Sequence, residues 1–315
     1  MSKPLLFVAG HTGMVGSALR RAVETGGDYR LLTADRSRVD LRNAGETLAF
    51  LKEHRPDCVI FAAARVGGIH ANSTYPADFL YDNLAMATSI VHGCHLAGVR
   101  RLLYLGSSCI YPRQAPQPIQ ESALLTSALE ATNEAYALAK IAGLKLCAAY
   151  RKQHGHLYHS AMPANLYGKG DNYHPEHSHV IPGMLHRFHL AKEANQPEVR
   201  IWGTGTPLRE FLYVEDLSSA CFHLLRLEDP PDWANIGSGT ELSIADLGRA
   251  VAATVGYEGA ILTDPTKPDG TPRKLLDSSL LRSTGWAPAV GLKEGLSLAY
   301  ADYLAALEAG KLRSV

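Results

Sequence analysis

The segment from Leu5 to Gly16 constrains the fold more than any other. A short apolar run, Leu5-Leu6-Phe7-Val8-Ala9, passes directly into Gly10-His-Thr-Gly13-Met-Val-Gly16, which opens a helix-forming stretch from Met14 to Thr25. Glycines at that spacing let the backbone turn tightly between strand and helix and approach a ligand closely. The unsatisfied N–H groups that begin such a helix suit a pyrophosphate. The competing reading is a tight turn that holds nothing.

The same alternation continues down the chain. Tyr29 to Thr33, Cys58 to Phe61 and Leu102 to Leu105 read as strands, and Ala77 to Ala97 and Asn133 to His154 read as helices. Helical crossovers between parallel strands cover both faces of a sheet. The expected fold is therefore α/β, a Rossmann-type doubly wound parallel sheet. Beyond about Asn165 the rhythm breaks: Tyr167 to His179 is rich in Gly, Asn, His and Pro, and Gly203 to Pro207 and Thr263 to Arg273 read as further loops. These suggest a smaller C-terminal substrate-binding domain over the carboxyl edge of the sheet. The expected division is 1–165 for a dinucleotide and 166–315 for substrate, with 210–234 returning to the first domain. The last helix, about Leu292 to Leu307, is amphipathic and is expected to pack on the body of the fold.

Composition narrows the function classes. With 46% apolar residues and 20% charged ones, the 315-residue chain can bury a sizeable core. Lys and Arg number 31 and Asp and Glu number 31, so no global field draws the protein to nucleic acid or a membrane surface. An anionic ligand must be held by local basic residues. Cys58, Cys94, Cys109, Cys147 and Cys221 form no C-x-x-C pair, which points away from a disulfide framework or zinc knuckle and toward a reducing, cytoplasmic compartment. The apolar run at Leu5 to Ala9 is too brief for a signal sequence, and no stretch approaches the length of a membrane span.

Three features carry chemistry. Asp35-Arg36 follows the second strand, where a dinucleotide fold reads the adenosine ribose. A carboxylate there accepts from a free 2′-hydroxyl, whereas a guanidinium pairs with a 2′-phosphate or stacks on adenine, so the two residues pull in opposite directions. Tyr136 and Lys140 lie four residues apart on a helix and share one face. A nearby cation lowers the cost of a phenolate, making such a tyrosine a usable acid or base. Ser107-Ser108 stands just past the strand Leu102 to Leu105, at the sheet edge where catalytic groups are displayed.

The order of glycine loop, Ser107 and Tyr136-x-x-x-Lys140 resembles the extended short-chain dehydrogenase/reductases. Longer stretches are similar to GDP-L-fucose synthases: GHTGMVGSA (10–18), VGGIHANSTYPADF (66–79), LGSSCIYP (105–112), ALAKIAGLKL (137–146), SHVIP (178–182), GTGTPLREF (203–211) and KPDGTPRKLLD (267–277). The resemblance implies an NADP(H)-dependent homodimer that epimerises GDP-4-keto-6-deoxymannose at C3 and C5 and reduces it at C4. It implies Tyr136 as proton donor to O4, Lys140 on the nicotinamide ribose and lowering the tyrosine pKa, and Ser107 polarising the keto oxygen. Cys109 and His179 match the epimerising base and acid. Cofactor contacts are implied for Gly10, Thr12, Gly13, Met14, Val15, Gly16, Arg36, Leu41, Leu105, Gly106, Ser108, Lys140, Pro163, Asn165, Leu166 and His179. Substrate contacts are implied for Arg187, Trp202, Arg209, Asp269 and Lys274. Where relatives carry an arginine for the adenosine phosphate, this chain has Thr12.

Other readings stand beside these. A free cysteine is most often a small buried hydrophobe, although Cys109 lies past the strand end. His174, His177 and His179 cluster without the cysteine or carboxylate that would complete a zinc spacing, so no metal is expected. The same residues would serve another GDP-4-keto sugar, of the 3,6-dideoxy or heptose kind. A cofactor-binding redox sensor without turnover is the reading from a different class, and an incomplete Ser-Tyr-Lys set would favour it.

Overall fold

In the computed structural model the described residues are 3–175, 177–267 and 269–314, the side chains of Ile69 and His70 apart. The first half runs β1 (Leu5–Ala9), α1 (Met14–Gly26), β2 (Arg30–Leu32), α2 (Ala44–His54), β3 (Cys58–Phe61), α3 (Ile69–Thr74), α4 (Pro76–Leu96), β4 (Arg101–Leu105), α5 (Glu134–His154) and β5 (Leu157–Pro163). The second half runs β6 (Asn165–Tyr167), α6 (Val180–Glu193), β7 (Glu198–Trp202), β8 (Leu208–Tyr213), α7 (Val214–Arg226), β9 (Trp233–Ile236), β10 (Glu241–Ser243), α8 (Ile244–Val255), β11 (Ala260–Asp264), β12 (Arg273–Lys274), α9 (Ser279–Ser283) and α10 (Leu292–Glu308).

The main sheet has the order β2-β1-β3-β4-β5-β9, and every neighbouring pair in it is parallel. Alternating side chains explain why its strands read as unbroken apolar runs. Leu6 and Val8 of β1 join Ile60, Leu103 and Ala161 in a core under α1 and α7, while Phe7 and Ala9 join Val59, Phe61, Leu102 and Tyr104 under α2 and α4. Both faces are thus buried. Strand order reverses between β1 and β3, so the carboxyl ends of those strands open a crevice for a ligand.

The chain after β5 is more regular than its loops suggest. β8 lies between β10 and β12 and also pairs with β6, and β7 pairs with β11. These strands and α6, α8 and α10 share a second core around Phe188, Leu247, Val251, Leu296 and Tyr303. α10 buries Gly295, Leu296, Ala299 and Tyr303, the apolar stripe expected of the last helix. β9 returns to the first sheet as its sixth strand. No helix among the described residues is long and apolar enough to cross a membrane.

Candidate active site

The glycine loop is shaped by close approach. Gly10 takes φ +90°, and a Cβ there would meet the Ala63 backbone at 2.6 Å. A Cβ on Gly16 would overlap the Gly10 carbonyl. Gly13 is the N-cap of α1, with no side-chain cap and no acidic residue in the first turn, where Met14 and Val15 lie. His11 Nδ1 is buried in this loop without a hydrogen-bond partner. A bare helix start and an orphaned polar atom beside a backbone cradle fit a dinucleotide pyrophosphate. Thr12 is exposed at the same turn.

Beyond β2, Asp35 and Arg36 sit in different surroundings. Asp35 Oδ1 accepts from the Ser37 amide (3.0 Å), the Ser37 hydroxyl (2.6 Å) and the Arg38 amide (3.1 Å). The Ser37 hydroxyl first, then the Arg38 amide, hold this carboxyl below its ordinary range. Arg36 is 71% exposed. Leu41 packs against the core beneath this loop.

The carboxyl end of β4 carries the next group. Gly106 lies so close to the Met162 thioether that a Cβ would overlap it. Ser107 Oγ accepts from the Cys109 amide at 3.2 Å and so caps the turn Ser108–Ile110, on which Ser108 is buried. Lys140, 3% exposed, donates from Nζ to the Leu105 carbonyl at 2.8 Å. Its Nζ lies 5.7 Å from the Tyr136 ring centroid and 5.1 Å from that of Tyr104. Burial alone pulls the Lys140 ammonium down to about 7.

Tyr136 differs from the expectation. Its side chain is partly exposed, but burial pushes its hydroxyl above the ordinary tyrosine range, Cys109 adds to the push and a hydrogen bond with Ser107 opposes it. Lys140 does not depress it, because the ammonium is itself desolvated and is spent on the Leu105 carbonyl. Tyr136 is consequently a phenol at neutral pH, a proton donor rather than a base.

Cys109 is partly exposed, unlike the other four cysteines. Asn133 Nδ2 lies 3.4 Å from its sulfur and Lys274 Nζ 3.9 Å. Lys274 reaches it because β12 pairs with β8 in a register that sets Lys274 beside Arg209. Burial lowers the Arg209 pKa, and the charges of Asp269 and Cys109 oppose that without cancelling it. Asp269 binds the loop after β7, accepting from the Thr204 amide (2.7 Å) and hydroxyl (2.9 Å). Trp202 has two cations against its ring, Arg187 Cζ and Lys267 Nζ, each 5.5 Å from the ring centroid. Arg187 also donates to the Arg200 carbonyl at 2.7 Å.

His179 is the N-cap of α6, exposed yet surrounded by enough protein that desolvation lowers its pKa. His174 and His177 stack on each other at 4.4 Å, and their loop runs past Gly68. Pro163 ends β5, and Asn165 and Leu166 begin the pairing with β8, where Asn165 Nδ2 donates to the Glu210 carbonyl at 2.8 Å. Two contributors were missed from sequence. Asn133 sits on a 3-10 turn one residue before α5. Glu210 is fully buried and accepts from the Gly239 amide (2.6 Å) and the Leu276 amide (3.0 Å), holding the β12 segment to β8. Asn133 belongs to no recognisable spacing, whereas Glu210 lies within the stretch 203–211 already singled out.

Known proteins match this chain in sequence and fold. The model of the NAD dependent epimerase/dehydratase family matches residues 6–237. GDP-L-fucose synthase 1 of Arabidopsis thaliana is 54% identical over 299 residues, covering 95% of this chain and 93% of that protein. GDP-L-fucose synthase of Escherichia coli K12 is 48% identical over 313 residues, covering 96% and 98%. Among solved structures, a GDP-D-glycero-L-gluco-heptose synthase from Campylobacter jejuni, determined in the presence of NADPH, superposes with a TM-score of 0.88 at 30% identity, covering 97% of this chain and 99% of that one. The chain belongs to the NAD-dependent epimerase/dehydratase family and, within it, to the GDP-L-fucose synthases.

Proposed function

We propose that this protein converts GDP-4-keto-6-deoxy-D-mannose to GDP-L-fucose, inverting C3 and C5 and then reducing C4 with NADPH. The observation that carries the reading is the placement of two kinds of proton chemistry on one turn. Ser107 and Cys109 share the turn after β4, with the Tyr136 phenol on Ser107 and an amide and an ammonium on the Cys109 sulfur.

The glycine loop and the start of α1 hold the dinucleotide pyrophosphate, and Arg36 holds its 2′-phosphate. NADPH, when bound, supplies the hydride. The 4-keto group acidifies the C–H bonds at C3 and C5. The Cys109 sulfur takes each proton in turn, with the Asn133 N–H and the Lys274 ammonium against it. Ser107 and Tyr136 hydroxyls stabilise the enolate oxygen. His179 returns a proton from the opposite face. Its lowered pKa makes it the stronger acid when protonated and leaves it less often protonated at neutral pH. Tyr136 then gives its proton to O4. Lys140 positions the nicotinamide ribose, and Arg187, Arg209 and Lys274 supply the cations for a diphosphate, with Trp202 and Asp269 beside them.

Residues 1–165, with 210–234 returning, form the cofactor domain in this scheme, and 166–315 the substrate domain. The protein acts as a homodimer through α4 and α5, which pack on each other and leave Tyr81 67% and Leu138 44% exposed. Incubation with GDP-4-keto-6-deoxy-D-mannose and NADPH, followed by NMR of the product, tests the function. GDP-L-fucose supports it. An unchanged substrate, or a sugar reduced without inversion, overturns it.

A further inference from the structure

Six charged side chains alternate in sign from the loop after β2 to the start of α4. Arg36 Nε lies 3.4 Å from Asp40 Oδ2. The same Oδ2 accepts from Arg42 Nη2 at 2.6 Å, and Asp40 Oδ1 accepts from Arg42 Nε at 3.0 Å. Arg42 Nη1 donates to Asp82 Oδ1 at 3.0 Å, Arg65 Nη1 donates to Asp82 Oδ2 at 2.9 Å, and Arg65 Nη2 lies 3.1 Å from Asp78 Oδ2. The hydrogen bonds from Arg65 and Arg42, and their charges, outweigh burial and hold the Asp82 carboxyl below its ordinary range. Arg36 is the loose end. It is 71% exposed, and its contact is the longest of the five links.

Two further facts bear on what that loose end does. Asp35, the carboxylate that would accept from a free 2′-hydroxyl, already holds three donors of its own turn on Oδ1. Thr12 offers no charge at the glycine loop. Recognition of a 2′-phosphate therefore falls to Arg36, whose nearest anion is Asp40. A carboxylate without another partner would both capture Arg36 and repel the phosphate. Asp40 is not in that position, because the planar fork of Arg42 already engages both of its oxygens.

We infer that Arg42 is a positioning residue for cofactor selection: by engaging both oxygens of Asp40, and being tied in turn to Asp82, it keeps Arg36 available to a 2′-phosphorylated adenosine. Arg42 acts through Asp40 and not on the phosphate. The inference rests on the reading that the cofactor is NADP(H), and the test separates the two.

The test is equilibrium binding by calorimetry at low salt, with adenosine 2′,5′-bisphosphate and 5′-AMP as probes and no turnover. Wild type binds the bisphosphate at least about ten-fold more tightly than AMP. Arg42→Gln weakens the bisphosphate by roughly three- to ten-fold and leaves AMP within about two-fold. Asp40→Asn in the Arg42→Gln background restores the bisphosphate to within about two-fold of wild type, a rescue that mere loss of packing at Arg42 would not give. Should Arg42→Gln not fold, Asp40→Asn alone carries the test, with bisphosphate affinity equal to or above wild type expected. If wild type does not discriminate between the probes, the NADP reading fails and this inference falls with it. If wild type discriminates but Arg42→Gln keeps the same ratio, or the double variant stays as weak as the single, or Asp40→Asn alone weakens the bisphosphate, the cofactor reading stands and the role of Arg42 is overturned.

Discussion

Replacing Lys140 with Met should make the protein more stable near neutral pH. The lysine is 3% exposed, it donates to the Leu105 carbonyl, and burial pulls its ammonium from 10.5 down to about 7. The unfolded chain then binds more protons than the folded one between about pH 7 and pH 10.5, so stability rises with pH across that window. Burying the lysine costs ~4 kcal/mol at pH 7 and ~2 kcal/mol at pH 9. Met removes that cost but leaves the Leu105 carbonyl without its donor, a loss of about 1–3 kcal/mol. The variant should exceed wild type by about 1–3 kcal/mol at pH 7 and draw level near pH 9. Urea unfolding of the cofactor-free proteins at pH 7, 8 and 9 measures both curves. A difference that does not change with pH would refute the reasoning, since it would mean that Lys140 is solvated.

Gly16→Ala places a methyl against the Gly10 carbonyl, and should lower stability by about 1–3 kcal/mol and abolish adenosine bisphosphate binding, read by unfolding and calorimetry. Asn133→Ala removes the amide from the Cys109 sulfur and should slow deuterium entry at C3 and C5 by roughly ten-fold, with smaller effect on the KM for NADPH. Light scattering at micromolar concentration should return twice the 34.1 kDa of one chain, and a monomeric mass would rule out the α4–α5 interface.

What could be read from the residues was what depends on local geometry. The glycine loop announces itself because Gly10 and Gly16 have no room for a Cβ, and it joins a short apolar strand directly to a helix. Tyr136 and Lys140 share a helix face by spacing alone, and helix boundaries fell within about a residue of their positions. Charge states were harder, because they depend on burial by distant segments. Lys140 and Tyr136 are both shifted by desolvation that no local pattern reveals, the ammonium downward and the phenol upward. Lys274 was expected at a diphosphate, and its contact with Cys109 depends on a parallel pairing between strands 65 residues apart (209 and 274). The opposed claims of Asp35 and Arg36 separated only when the Asp35 carboxylate was found closing its own turn.

The central claim is that one cleft carries two separable proton chemistries, and deuterium exchange in Cys109→Ser and Tyr136→Phe tests it most directly. Each variant is incubated with GDP-4-keto-6-deoxy-D-mannose and NADPH in deuterium oxide, with label at C3 and C5 followed by NMR and NADPH oxidation by absorbance. Cys109→Ser should largely lose exchange at both carbons, because a serine hydroxyl is far harder to ionise than a thiol, while still reducing the uninverted ketone slowly. Tyr136→Phe should keep exchange and lose about two to four orders of magnitude in NADPH oxidation. Wild-type exchange in Cys109→Ser would contradict the account, leaving Cys109 as a packing residue and the epimerisation without its base.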